Sequence, residues 1–304
     1  MTPKSSFMRY FRMNYGVYLM LLPAIVLTFV FSYMPMPGII IAFKDYNIFK
    51  GVWDSPWSGM RHIIRVFELP NVKQSIVNTA VLSVYTLLVS FPAPILFALM
   101  LNEMRIMWYK RVVQTISYLP YFLSWISVIA IAMNLYSMYG PINDLRIAMG
   151  GPDTERILFL AEQSFFIPNM LILTVWKGLG WDSIIYLAAI TAIDPQLYEA
   201  AEIDGASKLK QAWHITMPGI LPTTMILLIL RLGQLFSSNF ELVYGLQNPF
   251  INYEVISTIV YKTGIQQNDF SLATAVGFLQ GLVAFLLTIA VNKLSKVVSG
   301  TAIW

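Results

Sequence analysis

A polar stretch near the middle of the chain, LYEAAEIDGASKLKQAWHITMPG at residues 197–219, interrupts a sequence that is otherwise largely apolar. It carries three acidic side chains, two lysines and one of the two histidines of the chain. The chain has no cysteine, so thiolate catalysis and cysteine-based zinc binding are excluded here. We expect a surface that a partner protein grips; an ordinary loop between well-capped helices is the simpler alternative.

The first half of this stretch has the signals of a short helix. Asp194 is a favourable N-cap residue and Pro195 suits the first helical position, which predicts a helix over 195–203. Gly205, after Asp204, can adopt the left-handed conformation that often ends a helix. We therefore expect one short capped helix followed by a sharp turn.

The second half predicts another helix. Ser207 offers its N-cap, and the predicted extent is 208–217, with Pro218 and Gly219 ending it. Trp213 gives this helix an apolar side, which we expect to pack on the ends of membrane helices.

The chain as a whole has the composition of an integral membrane protein. Its 304 residues are 57% hydrophobic and 12% charged, with a mean hydropathy of +0.63, whereas about a quarter of the residues of a soluble domain are charged. The lack of cysteine excludes disulfides, thiolate catalysis and cysteine-based zinc sites. A net charge of +4 is modest and does not indicate nucleic-acid binding.

Stretches without Asp, Glu, Lys or Arg predict the membrane crossings, since a helix needs about 20 apolar residues to span the bilayer core. Four such stretches are present, and two further spans carry Lys177 and Asp182 or Arg231. The predicted fold class is an all-α polytopic membrane protein with about six transmembrane helices. A segment 1–16 precedes a single transmembrane domain over 17–300, with spans at 17–43, 78–102, 114–138, 166–190, 221–243 and 271–293 and the polar loop at 191–220.

The basic residues predict that the N- and C-termini are both cytoplasmic. Six spans place the termini on one side, and with that side inside, the cytoplasmic segments carry ten Lys and Arg against eight outside. The apolar stretch after the N-terminal charges is too long for a signal peptide, so we expect a retained first helix. The loop 191–220 then faces the cytosol.

The polar loop also carries a long family motif. Glu199-Ala200-Ala201, three intervening residues, Gly205, and then I-x-x-P ending at Pro218 resemble the EAA motif of binding-protein-dependent ABC importer permeases of type I. The motif lies between the fourth and fifth of six predicted spans, as in that family. The resemblance implies the type I permease fold with cytoplasmic coupling helices.

The ends of the chain resemble one branch of that family. Residues 21–47 and 270–296 are similar to carbohydrate permeases, especially those for oligosaccharides and polysaccharide fragments such as alginate or pectin fragments. The resemblance implies a subunit of the bacterial cytoplasmic (inner) membrane that imports a saccharide by alternating access. Its implied partners are a second permease subunit, usually forming a heterodimer, two ABC ATPase subunits, an extracytoplasmic solute-binding protein, the saccharide and the lipid bilayer.

The same resemblance assigns ATP hydrolysis to another chain. No GxxxxGK[ST] loop is present, so ATP and Mg are expected on the partner ATPase, with no cofactor on this chain and no enzymatic activity of its own. The family's coupling helix corresponds to residues 195–206. The residues implied in ATPase coupling are Tyr198, Glu199, Ala200, Ala201, Asp204, Gly205, Ala206 and Pro218.

Two stretches are predicted to line the substrate path. In maltose-type relatives a sugar-contacting stretch precedes the EAA motif, and here it corresponds to TVWKGLGWDS at 174–183, where tryptophans can stack on a sugar ring and glycines allow close approach. RLGQLFSSNFE at 231–241 places polar groups in a span, which often face a pathway, although hydrogen bonding between helices is the alternative. The predicted path residues are Trp176, Lys177, Gly178, Trp181, Arg231, Gln234, Ser237, Ser238 and Asn239.

Lys177 and Arg231 are unusual because a cation within a span costs a few kcal/mol or more unless it is paired or hydrated. They could pair with Asp182, with Glu241 or with the partner subunit. The second hypothesis is that they meet the carboxylates of an acidic saccharide such as a uronic-acid oligomer.

Other functions remain open at this point. A permease for a non-sugar solute, such as an amino acid or inorganic anion, is the nearest alternative. A channel or secondary transporter would work without the coupling loop. A membrane glycosyltransferase would need acidic clusters or histidine ligands, yet His62 and His214 fall on opposite sides of the predicted membrane and no HExxH occurs.

Overall fold

The structure is a computed structural model that describes residue 10 and residues 13–152, 156–234 and 239–299. Within these ranges the chain is helical, and β structure is limited to isolated bridges. Five helices are long and apolar enough to cross a membrane, and a bent pair makes a sixth crossing if it is one span. The helices are α1 (Tyr15–Phe43), α2 (Arg61–Glu68), α3 (Pro70–Glu103), α4 (Met107–Phe122), α5 (Trp125–Leu135), α6 (Pro141–Ala148), α7 (Gln163–Thr191), α8 (Pro195–Ile203), α9 (Lys208–Gly233), α10 (Phe240–Leu246), α11 (Ile256–Tyr261, continued by the π-helical turn Lys262–Gln266) and α12 (Phe270–Ser299).

The third crossing is bent rather than straight. Where one span was predicted over 114–138, α4 and α5 meet at an angle of 107°. Pro120 lies in a 3₁₀ turn that ends α4, and Leu123 after it is extended. Ser124 then caps α5 by accepting a hydrogen bond from the Ser127 amide at 3.2 Å. The bend follows from an early helix end and a new cap within a few residues.

The fifth crossing begins earlier and ends earlier than predicted. Pro218 and Gly219 do not end a short helix; α9 runs through them as one 26-residue helix, and it stops at Gly233, ten residues before the predicted end of that span. A π-helical turn at Ala212–Thr216 precedes Pro218, which then sits in the first turn of the next α-helical segment. A proline there loses no helical hydrogen bond, so the helix can continue.

The buried side chains in the first segment of α3, Pro70–Ser90, are largely polar. Ser75, Asn78, Thr79 and Ser83 are buried on this helix. The Asn78 amide donates to the Glu254 carbonyl at 2.8 Å, and the Thr79 hydroxyl accepts from the Ile256 amide at 2.8 Å. Polar groups in a membrane bundle are stabilised by facing inward and pairing, so this face ties α3 to the start of α11.

A charged cluster joins α2 to the segment that follows α1. Arg61 and His62 both bond the Asp45 carboxylate, with His62 Nε2 at 2.8 Å. Desolvation raises the pKa of Asp45, but the hydrogen bonds from His62 and Arg61 outweigh it and leave that pKa below its usual value. Arg65 pairs with Asp269 at 2.8 Å, which connects α2 to the residue before α12.

The first helix stands apart from the rest of the chain. No residue of its first two segments, Tyr15–Thr28 and Phe29–Tyr33, is buried. Only its last turns pack, where Ala42 is fully buried beside residues of α2, α11 and α12. Most of α1 therefore faces lipid or another subunit.

Candidate functional site

The polar stretch forms an elbow, residues 194–216, between α7 and the body of α9. Asp194 caps α8 by accepting a hydrogen bond from a backbone amide of the first turn at 3.0 Å. Gly205 follows the helix in a left-handed conformation, with φ of +74°. Ser207 caps α9 with its own side chain. The capped helix and sharp turn predicted for the first half of the stretch are thus confirmed.

The predicted coupling residues lie on the accessible side of the elbow or at its edge. Tyr198 is the one held by a side-chain hydrogen bond, from its hydroxyl to Thr216 at 2.9 Å. Exposed are Glu199, Ala200, Asp204, Gly205 and Pro218, and partly buried are Tyr198, Ala201 and Ala206.

The elbow also exposes large apolar side chains. Ile203 is 88% and Leu209 80% exposed, and Leu197 and Trp213 are exposed as well. Trp213 therefore does not pack on the membrane helices as predicted. Exposed large apolar side chains on an otherwise polar loop suit contact with another protein or with the membrane.

Two adjoining cavities open between α3, α7 and α9. Their volumes are about 180 and 240 Å³, and both are lined by Ser90, Phe91, Arg231 and Gln234. The larger one extends to Trp125 of α5. The pair of cavities combines a cation, hydroxyl and amide groups and an aromatic ring.

Arg231 of α9 is paired with Asp182 of α7. Its Nη2 donates to an Asp182 oxygen, which makes Asp182, and not Glu241, its partner. The Arg231 side chain is still 51% exposed. A guanidinium has five N–H donors, so the ion pair with Asp182 leaves donors for a further contact.

Four further predicted path residues follow Arg231 in sequence. Gln234 lines both cavities. Asn239 lines the larger one, and its side chain also caps α10 by accepting from the Leu242 amide at 3.2 Å. Ser237 and Ser238 lie outside the described residues.

Lys177 belongs to the scaffold of the bend rather than to the cavity lining. Its ammonium donates to the carbonyls of Tyr121 at 2.7 Å and Leu123 at 2.6 Å, with that of Pro120 at 3.5 Å. It also lies 5.3 Å from the centre of the Trp125 ring. Carbonyls at the C-terminal end of α4 thus satisfy the charge in place of the predicted ion pairs, and its role in the substrate path stays a prediction.

The two tryptophans of α7 do not line the cavities either. One face of the Trp181 ring is covered by Tyr121, stacked at 4.4 Å with an interplanar angle of 5°. Trp176 is 40% exposed and is not among the cavity-lining residues. Trp181 packs on α4 and Trp176 lies outside both linings, so the role of the two rings as sugar platforms stays a prediction.

The glycines of α7 serve two different purposes. A Cβ at Gly180 would overlap the Ser117 carbonyl and the Tyr118 ring, so α4 and α7 require glycine there to pack. At Gly178 a Cβ would meet only an Asp182 oxygen at 3.4 Å, an ordinary contact. Gly180 permits close helix packing, and the approach of a ligand at Gly178 stays a prediction.

Comparison with known proteins decides the family. A family model for the binding-protein-dependent transport system inner membrane component matches residues 90–299, well over half of the chain. The chain belongs to this family. The permease is 44% identical over 283 residues to the polygalacturonan/rhamnogalacturonan transport system permease protein YteP of Bacillus subtilis (strain 168), covering 92% of this chain and 87% of that protein. It is 38% identical over 294 residues to Protein LplB of the same organism, covering 96% and 92%.

Solved structures show the same fold. A chain of a bacterial ABC transporter involved in the import of the acidic polysaccharide alginate superposes with a TM-score of 0.87 at 36% identity, covering 97% of this chain and 99% of that one. A second structure of a bacterial alginate ABC transporter, in complex with alginate pentasaccharide-bound periplasmic protein, gives a TM-score of 0.88 with the same coverage. The predicted type I ABC importer permease fold and carbohydrate branch are confirmed.

Several cavity residues were absent from the sequence-based prediction. Ser83, Thr86 and Ser90 of α3 line the larger cavity, with Thr174 of α7. The three α3 residues recur at intervals of three and four, which places them on one helix face and was a usable signal. Trp125 had no such signal, because its position depends on the bend before α5.

We expect Gly180→Ala to prevent stable assembly of the permease, whereas Gly178→Ala should insert and assemble normally. The added methyl group at 180 overlaps backbone of α4, and overpacking costs about 1–3 kcal/mol or more. Membrane yield and melting temperature of the purified protein measure both variants. Equal stability of the two alanine variants would contradict the close packing seen at Gly180.

We expect Lys177→Met to destabilise the bend between α4 and α5, since it leaves buried carbonyls without a donor, at about 1–3 kcal/mol for each unsatisfied group. Transport of acidic and neutral saccharides should fall to the same extent. Melting temperature and uptake measured side by side test this; a loss confined to acidic saccharides would instead return Lys177 to the substrate path.

Proposed function

We propose that this permease is one transmembrane half of an ATP-driven importer for an acidic oligosaccharide or polysaccharide fragment. The substrate is delivered by an extracytoplasmic solute-binding protein and crosses by alternating access around the two cavities. The observation that carries the acidic preference is Arg231, a half-exposed cation on the wall of both cavities. The similarity to the alginate transporter and to YteP supports it.

The cavity chemistry suits a sugar that carries a carboxylate. Arg231 can meet a carboxylate through two parallel N–H groups, and Asp182 holds one edge of the guanidinium and so fixes its orientation. The Trp125 ring offers an apolar face for a pyranose. Ser90 and Gln234 can exchange hydrogen bonds with sugar hydroxyls.

A neutral saccharide is the second candidate, and one observation favours it. Asp182 already balances the charge of Arg231, so this pair can be read as a structural link between α7 and α9. In that case both residues act as a unit, and removing either one has the same effect on every substrate.

The energy is proposed to come from a partner ATPase that binds the elbow. Its exposed apolar residues, with Glu199 and Asp204 beside them, form a mixed surface of the kind that interfaces use. ATP and Mg are assigned to two ABC ATPase subunits, with no cofactor on the permease. The elbow then lies in the cytosol, which places both termini there and the chain in the bacterial cytoplasmic membrane.

A second permease subunit is proposed to complete the pathway, most simply as a heterodimer. In the described part of the chain, the most apolar window of α1 has no buried residue. An apolar groove of about 970 Å³ runs along α12 beside Gly277 and Gly281, where nothing occupies the space that side chains would fill. Both surfaces suit a neighbouring membrane subunit.

We expect Arg231→Met to raise the KM for uptake of a galacturonate oligomer about 10- to 100-fold, the loss of a charged hydrogen bond. Uptake of a galactose oligomer of equal length should change little. The assay uses the complete complex in proteoliposomes with its binding protein. Asp182→Asn is the matched control, because it breaks the ion pair yet keeps the cation.

Three results separate the candidates. A loss specific to the acidic oligomer in Arg231→Met, with a smaller loss in Asp182→Asn, supports the acidic substrate. Equal losses for both oligomers in both variants identify the pair as structural and favour the neutral saccharide. Stimulation of ATP turnover by neither oligomer would contradict saccharide import.

Reversing the charges at Glu199 and Asp204 to lysine should remove the ATPase subunits from the purified complex. Both carboxylates are exposed on the elbow, so their replacement should leave membrane insertion of the permease unchanged. Co-purification and membrane yield measure the two effects. A variant that retains its ATPase and its transport would contradict the coupling role of the elbow.

A further inference from the structure

Both side-chain hydrogen bonds that connect α8 to another helix, within the described part of the chain, end on α9. The Tyr198 hydroxyl bonds the Thr216 hydroxyl at 2.9 Å. Glu202 accepts from the Lys208 ammonium at 2.6 Å. Thr216 is buried, 2% exposed, so its hydroxyl has a well-defined partner and little access to water.

The Glu202–Lys208 contact belongs to a small closed network across the turn. Lys208 also donates to the Gln211 side-chain oxygen at 3.2 Å, and the Gln211 amide nitrogen donates to the Ala206 carbonyl at 3.3 Å. Gln211 is buried. The hydrogen bond from Lys208 holds the pKa of Glu202 below its usual value, so the carboxylate is ionised at neutral pH. The network spans Gly205, the left-handed residue between α8 and α9.

The other side of α8 is attached differently. Its link to α7 is the chain itself, a short connection ending at Asp194. This connection also packs on α9, because the Ile193 side chain occupies the space that a side chain at Gly219 would need. Side-chain hydrogen bonds therefore hold α8 to the fifth crossing, whereas its link to the fourth crossing is the backbone.

We propose that Thr216, Lys208 and Glu202 are positioning residues that lock α8 to α9, so that a displacement of α8 is delivered to the fifth crossing. The proposal rests on the proposed function, in which α8 is moved by the ATPase. Without the lock, α8 would turn about Gly205 and leave the membrane helices behind.

A displacement of α8 passed along α9 would reach Arg231 near the C-terminal end of that helix. Arg231 lies 15 residues beyond Thr216 on the same unbroken helix, about 22 Å away at 1.5 Å per residue. It bonds Asp182 across the gap to α7. Movement of α9 relative to α7 must change that contact, and with it the cavity wall that both residues form. The lock thus connects the ATPase surface mechanically to the cavity.

The first test compares Thr216→Val with Thr216→Ser in the complete complex with its ATPase and binding protein. Valine keeps the shape and loses the hydroxyl, whereas serine keeps the hydroxyl. We expect the valine variant to hydrolyse about fivefold more ATP per galacturonate oligomer imported, the effect of one hydrogen bond on an equilibrium, and the serine variant to stay near wild type. Thr224→Val is the matched control, since Thr224 bonds a carbonyl of its own helix.

The second test reverses the ion pair and remains valid if Thr216→Val fails to assemble. Glu202→Lys and Lys208→Glu should each raise the ATP used per oligomer, and the double variant should restore it. Lys210→Glu is the control, because Lys210 makes no ion pair among the described residues. A wild-type ratio in both single reversals, or no rescue in the double, would overturn the lock. If the binding protein does not change the ATP turnover of the wild-type complex, the proposed function is overturned as well.

Discussion

The guanidinium of Arg231 and the carboxylate of Asp182 face each other between α7 and α9, inside a bundle where an unpaired charge costs several kcal/mol. The pair joins the two helices on either side of the elbow, and it does so on the wall of the cavities. One ion pair therefore both lines the cavity and links the two helices. The same groups that hold the helices in register also present unused donors to whatever occupies the space beside them.

The bend in the third crossing solves a related problem for the backbone. A helix that ends within the membrane leaves carbonyls without partners, which lipid cannot satisfy. The Lys177 ammonium from α7 takes up that requirement at Tyr121 and Leu123, and the bend in turn sets Trp125 at the cavity. A buried cation and a broken helix, each costly alone, stabilise one another.

Much of this architecture is predictable from the sequence because its determinants are local. The cap at Asp194, the turn at Gly205 and the uncharged stretches each depend on neighbouring residues, and the EAA motif adds the family. What the sequence does not predict depends on distant residues. The partners of Lys177 could not be inferred, because the carbonyls that bind it are more than 50 positions away. Pro218 was predicted to end a helix, because the π-helical turn before it, which lets the helix continue, cannot be recognised from the sequence.

The isolation of α1 has a consequence for how the cell makes this protein. A chain inserted without its neighbour would show the membrane a long helix anchored at one end only, beside an open apolar groove on α12. If a second permease subunit covers these surfaces, as proposed, a chain without it leaves them facing lipid alone. The amount of this subunit that persists in the membrane would then depend on the supply of the other.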